Sequence, residues 1–207
     1  MDNFSFLIFL GITLVSITLH EYSHGWVAYK LGDPTAKLAG RLTLNPFAHI
    51  DPFGTIILPL VLMLIPGILP FGYAKPVPIN PRHFKNPKKD FMWVGLAGPT
   101  ANLCIAFLLS LLLRIIANPF IFDILLWGVI INLVLTFFNI FPIPPLDGSR
   151  VMASFLPGRL SYTYLRAQFY GFIFIIILVN LGFFKWYIIP ITRLTFSIFG
   201  IASYYPF

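Results

Sequence analysis

Charge is what this sequence has least of. Of its 207 residues 10% are charged and 58% are hydrophobic, whereas a soluble domain runs near about 25% charged and about 45–50% apolar. So few ionised groups cannot cover the surface of a soluble globule. The chain is therefore expected to be an integral membrane protein with the lipid bilayer as its solvent, and a soluble enzyme and a disordered chain are excluded. Cysteine is nearly absent. Cys104 stands alone, which permits no internal disulfide and no cysteine zinc site, and excludes a secreted disulfide scaffold. Carboxylates number seven, and Glu21 is the single glutamate. The net charge is +7, but Lys and Arg in a membrane protein mainly fix topology, so no nucleic-acid partner is expected.

What the sequence has in place of charge is long apolar runs. A crossing needs about 20 helical residues, and the expected architecture is all-α and polytopic. The first run extends from about Phe4 to Lys30 and opens with sixteen uncharged residues, Phe4 to Leu19. Met1-Asp2-Asn3 carries no positive charge and no small-x-small cleavage site follows, so the segment is expected to be retained rather than removed as a signal peptide. Further crossings are expected over Phe91–Ala117, Ile121–Phe141, about Tyr164–Phe184 and about Trp186–Tyr204, roughly five in all. Residues 54–70 are apolar but short and carry Pro59, Pro66, Gly67 and Pro70. They either cross once or dip in and return as a re-entrant hairpin, which is tolerated where protein covers the backbone. An alternating run at Lys37–Leu44 reads as strand-like. No internal repeat and no appended soluble domain is visible, so residues 1–207 are expected to form a single membrane-embedded domain.

Residues 20–24 read His20-Glu21-Tyr22-Ser23-His24, an H-E-x-x-H pattern. On a helix His20 and His24 share one face and can ligate one Zn²⁺ through their imidazoles. Glu21 lies beside that face, placed to take a proton from zinc-bound water and return it to a leaving amine. A lone histidine on an apolar helix is usually a satisfied core residue. Two histidines and the one glutamate of the chain within a turn of a membrane span call for a functional reading, because burying unpaired ionisable groups in lipid costs several kcal/mol. From Phe4 to His20 the helix rises roughly 24 Å, which sets the motif inside the bilayer, close to the face where this span exits.

A catalytic zinc takes three protein ligands and keeps one position open. His49, His83, Asp33, Asp51, Asp90, Asp123 and Asp147 are the candidates for the third. Asp147 stands out. Pro142, Pro144 and Pro145 end a span and hold an extended segment that presents this carboxylate at the membrane edge, and Gly148 permits a close turn. A capping role for Asp147 at the following helix would explain the aspartate but not the proline run.

With H-E-x-x-H in the first span, N-x-x-P-x-P-x-L-D-G over residues 139–148, and Gly98-Pro99-Thr100-Ala101-Asn102 at the start of the second certain span, the chain resembles the site-2 protease family of intramembrane zinc metalloproteases over residues 15–155. The resemblance implies His20, His24 and Asp147 as zinc ligands, Glu21 as general base, and Asn102 and Asn139 as substrate-positioning residues. It implies a zinc-dependent endopeptidase that hydrolyses peptide bonds within or near transmembrane helices of membrane-protein substrates. The PDZ and CBS domains of better-known relatives are not seen in these residues. The alternative is a non-proteolytic membrane protein, either a divalent-metal transporter or an inactive helix-binding scaffold, since intramembrane His and Asp also mark ion paths.

Topology can be argued independently. His20 and His24 lie near the exit of the first span, Asn102 near the entry of the second, and Asp147 at the exit of the third. They meet only if residues 31–90 begin and end on one side. Under that arrangement one side holds Lys37, Arg41, Lys75, Arg82, Lys85, Lys88, Lys89, Arg150 and Arg159, against Arg114 and Lys185 opposite. The positive-inside rule then sets the N-terminus outside and the site near the cytoplasmic face of the cell membrane. An extended substrate could add to the strand-like edge at residues 37–44.

Overall fold

A computed structural model describes residues 3–64 and 72–206, and within them the secondary structure is helical, with no strand. The long helices are α1 (Asn3–Lys30), α4 (Pro87–Leu113) and α5 (Pro119–Asn139). Short helices α2 (Thr35–Leu38) and α3 (Leu58–Met63) lie between α1 and α4, and α6 (Gly148–Phe155), α7 (Gly158–Arg166), α8 (Gln168–Asn180) and α9 (Ile189–Ile198) follow α5.

Local sequence sets these boundaries. α1 ends at Lys30, a cation at the negative end of the helix dipole, and Gly32 (φ +106°) supplies the left-handed turn beyond it. α4 opens with Pro87, and Asp90 in its first turn accepts the Asn86 N–H at 2.9 Å. α5 opens with Pro119, and the Asn118 side chain accepts the Ile121 N–H at 3.1 Å. Pro142 bars its continuation past Asn139.

Helices α1, α4 and α5 pack on one another, and α6 lies across the N-terminal half of α4. Gly95 makes that crossing close, since a Cβ there would stand 2.8 Å from Arg150 Cβ and 3.0 Å from the Asp147 carbonyl. Ala106, Leu113, Val129, Leu133 and Phe196 form the core between α4, α5 and α9. Ala28, Phe84 and Val94 form a second cluster joining the end of α1 to the start of α4. The outer faces remain apolar: Leu7, Val15, Phe107, Leu108 and Ile115 are exposed, as lipid-facing residues must be.

Three helical segments are long and apolar enough to cross a membrane, namely Phe6–Lys30, Pro87–Leu113 and Pro119–Asn139. Helices α7 and α8, bent by 61° at Ala167, make a fourth if the pair counts as one. The five expected crossings are thus not all matched among the described residues. The predicted start at Tyr164 lies inside α7, before the bend at Ala167, leaving α8 with 13 residues. The last expected span yields only the π-helical turn Phe184–Ile188 and the ten-residue α9, short of the roughly 20 residues a crossing requires. The strand expected at Lys37–Leu44 is also absent. Thr35–Leu38 closes a helical turn instead, and Gly40 turns the chain with φ +66°. Of the expected re-entrant stretch 54–70, a π-helical turn Pro52–Ile57 runs into α3, and residues 65–70 lie outside the described residues.

Residues 73–80 form an extended strap across the exit of α1. Three of its amides are held in alternation: Tyr73 N–H on the Gly54 carbonyl (3.0 Å), Lys75 N–H on the His49 carbonyl (2.9 Å) and Val77 N–H on Glu21 Oε2 (2.9 Å). Asn80 N–H is held by Asp33 at 2.7 Å. Asp33 is fully buried, pairs with His83 at 2.8 Å and accepts the Thr35 amide and hydroxyl. The connection from α1 to α4 therefore starts and finishes at the same end of the bundle.

Candidate metal centre

The last turns of α1 put His20 and His24 on the face that meets α4, and the proline segment after α5 brings Asp147 to the same point. His20 Nε2 stands 2.9 Å and His24 Nε2 3.0 Å from Asp147 Oδ2, with the two Nε2 atoms 3.1 Å apart. All three residues are buried, and among the described residues they form the one cluster of three or more His, Cys, Asp or Glu able to share an ion. Each imidazole is fixed from behind. His20 Nδ1–H donates to Asn102 Oδ1 at 2.5 Å, and His24 Nδ1–H to the Val94 carbonyl at 2.6 Å. With both protons on Nδ1, both Nε2 lone pairs face the carboxylate oxygen. Three acceptors converging on one point repel one another unless a cation stands between them.

The geometry fits zinc. Tetrahedral ligands at about 2.0–2.2 Å stand roughly 3.4 Å apart, close to the observed separations of 2.9–3.1 Å. Gly98 keeps the approach open, because a Cβ there would lie 2.5 Å from both Nε2 atoms. Asp147 occupies the N-cap position of α6 without making a side-chain cap, so capping does not account for it. Its other oxygen faces Arg150 Nη1 at 3.1 Å as an ion pair. Burial opposes the charge on Asp147, and the Arg150 guanidinium beside it favours the ionised carboxylate.

Glu21 lies beside the cluster, half-buried, with the Val77 N–H on Oε2. Asn102 is fully enclosed against His20. Asn139 is not brought to the cluster, and its amide donates to the Leu135 carbonyl one turn back at 2.9 Å. Of the other candidate ligands Asp123 is exposed near the start of α5, and the remaining five are engaged elsewhere. His49 Nε2 donates to the Thr43 carbonyl, His83 pairs with Asp33, and Asp51 and Asp90 accept backbone amides at helix starts. Sequence reasoning missed the Val94 carbonyl and Arg150, and it missed the contacts of Gly98. It also missed Ser16 and Asn132, which stand behind Asn102. The available signal was the presence of a serine and an asparagine in the middle of otherwise apolar spans.

The profile of peptidase family M50 matches residues 115–181, a stretch that includes Asp147. A Bacillus subtilis (strain 168) protein named "Putative zinc metalloprotease YwhC" is 42% identical over 196 residues, covering 86% of this chain and 85% of that protein. The chain belongs to peptidase family M50. This family is that of the site-2 proteases, so the M50 chain is a zinc metalloprotease and an integral membrane protein. A second relative, "Putative zinc metalloprotease Rip2" of Mycolicibacterium smegmatis, is 27% identical over 204 residues, covering 96% of the M50 chain and 76% of its own length. No solved structure matches the chain.

Proposed function

We propose that this M50 protease cleaves peptide bonds within or near transmembrane segments of membrane-protein substrates, with His20, His24 and Asp147 as the zinc ligands and Glu21 as the general base. The observation that carries this reading is the convergence of two Nε2 atoms and one carboxylate oxygen within 3.1 Å, beside the one glutamate of the chain. Zinc held there would polarise the scissile carbonyl and acidify the attacking water. Glu21 takes the water proton and returns it to the departing amine. Asn102 and Val94 hold the two imidazoles as Nε2 ligands throughout, and Arg150 balances the Asp147 charge. A substrate helix hides its carbonyls in its own hydrogen bonds, so it must unwind locally to be cut. The whole chain acts as one unit with its N-terminus outside and its site near the cytoplasmic face, a reading supported by the cluster of Lys and Arg at the end of the bundle where α1 exits.

The test is co-expression with single-span membrane proteins, wild type beside Glu21→Gln, with zinc content measured on each purified protein. Cleavage by wild type alone, with zinc retained in both, is the expected result. Equal cleavage by both overturns the role of Glu21. For orientation, single cysteines near residue 85 in a Cys104→Ala background should label from the cytoplasm, and labelling only from outside overturns that topology.

A further inference from the structure

Behind His20 runs a buried polar relay that reaches the middle of the bundle. Asn102 Oδ1 accepts from His20, while Asn102 Nδ2 donates to Asn132 Oδ1 (2.6 Å) and to the Ser16 carbonyl (3.3 Å). Asn132 Nδ2 in turn donates to Ser16 Oγ (3.0 Å) and to the Gly128 carbonyl (2.8 Å). Asn102, Asn132 and Ser16 are 0%, 2% and 3% exposed, so no solvent offers a substitute partner.

Each link has one workable polarity. The Gly128 carbonyl only accepts, so Asn132 must turn its amino group towards it and its oxygen towards Asn102. That oxygen also only accepts, so Asn102 must turn its amino group towards Asn132 and its own oxygen towards His20. Flipping either amide would set oxygen against oxygen at hydrogen-bond distance, in an interior where unmatched polar groups are costly.

We propose that Asn132 and Ser16 are positioning residues for the metal centre: they lock the Asn102 amide with its oxygen on His20 Nδ1, and so keep His20 Nε2 free as a ligand. The inference rests on the reading of His20 as a zinc ligand. If Asn102 were free to flip, its amino group would favour the tautomer protonated on Nε2, which cannot bind metal without losing that proton. One step of hydrogen bonding from a metal ligand, such partners typically govern about 10–100-fold in metal affinity.

The experiment uses the full chain in detergent, with zinc affinity measured by competition against a chromophoric chelator and the ligand field followed by cobalt absorption. Asn132→Leu should weaken zinc binding about 10-fold or more and alter the cobalt spectrum. Adding Asn102→Asp to that variant should restore affinity, because both carboxylate oxygens accept and no wrong orientation remains. Thr136→Val is the control. It removes a hydroxyl that bonds the Asn132 backbone carbonyl at 2.8 Å and the Pro99 carbonyl at 3.2 Å but touches none of the side-chain amides of the relay, and it should leave affinity within about 3-fold of wild type. Should Asn132→Leu fail to fold, Asn132→Ser, too short to reach Asn102, replaces it with the same expected loss. Unchanged affinity in the Asn132 variants, or an equal loss in Thr136→Val, overturns the proposal. Absence of zinc from wild type, or full zinc in Asp147→Ala, refutes the ligand assignment instead and is distinguishable from failure of the relay.

Discussion

Gly98→Ala is the smallest change that should empty the metal centre. The added methyl carbon would stand 2.5 Å from His20 Nε2, 2.5 Å from His24 Nε2 and 2.6 Å from His20 Cε1. Ordinary contact begins near 3.4 Å, so each ring is overlapped by about 0.9 Å. Neither can retreat, because His20 is tethered to Asn102 and His24 to the Val94 carbonyl. Relief requires α1 and α4 to part by nearly an ångström, at about 1–3 kcal/mol for overpacking. The larger effect is on the metal. A carbon 2.5 Å from both ligand atoms fills the space where zinc would sit at about 2.0–2.1 Å. The assay is elemental analysis of purified protein together with a thermal melt. Zinc content should fall close to zero, with a modest loss of stability. Gly11→Ala is the matched control, since a Cβ there meets nothing within 4 Å, and it should bind zinc normally. One zinc per chain in Gly98→Ala, at wild-type affinity, would refute the reasoning.

Glu21→Gln keeps an oxygen for the Val77 amide but cannot accept a proton, so turnover should drop about 10²–10⁴-fold while zinc content and melting temperature hold. Asp147→Ala should lose most of its zinc by elemental analysis and leave Arg150 without its partner 3.1 Å away. Asp33→Asn should lower stability at pH 7 by about 2–3 kcal/mol in chemical denaturation, because it weakens the anchor of Thr35, Asn80 and His83. Burial opposes the Asp33 charge, but Thr35, the Asn80 amide and His83 outweigh it and hold the carboxyl below its ordinary value. A depressed carboxylate stabilises the fold above the unfolded pKa of about 3.9 and loses that contribution as pH falls towards the folded value. The gap between wild type and Asp33→Asn should therefore close below about pH 4, and a constant gap down to pH 3 would contradict this origin.

The chemistry of the site was more legible in the sequence than its surroundings. Helical spacing alone puts His20, His24 and Glu21 together, and the prolines around residue 144 single out Asp147 before any contact is known. Asn102 was legible only through the family resemblance of the Gly98–Asn102 stretch. Its partner was not, because the facing of one helix against another depends on packing rather than periodicity. Asn139 shows the reverse: its place in a motif suggested the site, but its side chain turns back onto α5. Alternation over Lys37–Leu44 suggested a strand, but a helical turn and the left-handed Gly40 prevail there. The crossing expected from about Tyr164 looked long enough because hydropathy registers composition and not the 61° bend between α7 and α8, and the one expected from about Trp186 yields a π-helical turn and the ten-residue α9.

The strap over Glu21 has a consequence for self-digestion. On the proposed role of Glu21 as base, the strap rests part of the protease's own backbone on that base, where it would be exposed to self-cleavage. Val77, which touches Glu21, is flanked by Pro76 and Pro78, whose rings fix φ and remove the amide hydrogens on either side, leaving a backbone that cannot be drawn into the bonding pattern of an ordinary extended peptide. Release need not involve unfolding, because Tyr73, Lys75 and Asn80 are held by other partners. Unclipping Val77 alone costs one hydrogen bond to a charged oxygen, about 1.5–3 kcal/mol, so the carboxylate is bare in roughly one molecule in ten to one in 150 at any instant. With Glu21 as the proposed base, an incoming peptide need supply only one comparable hydrogen bond to take the place of the Val77 amide.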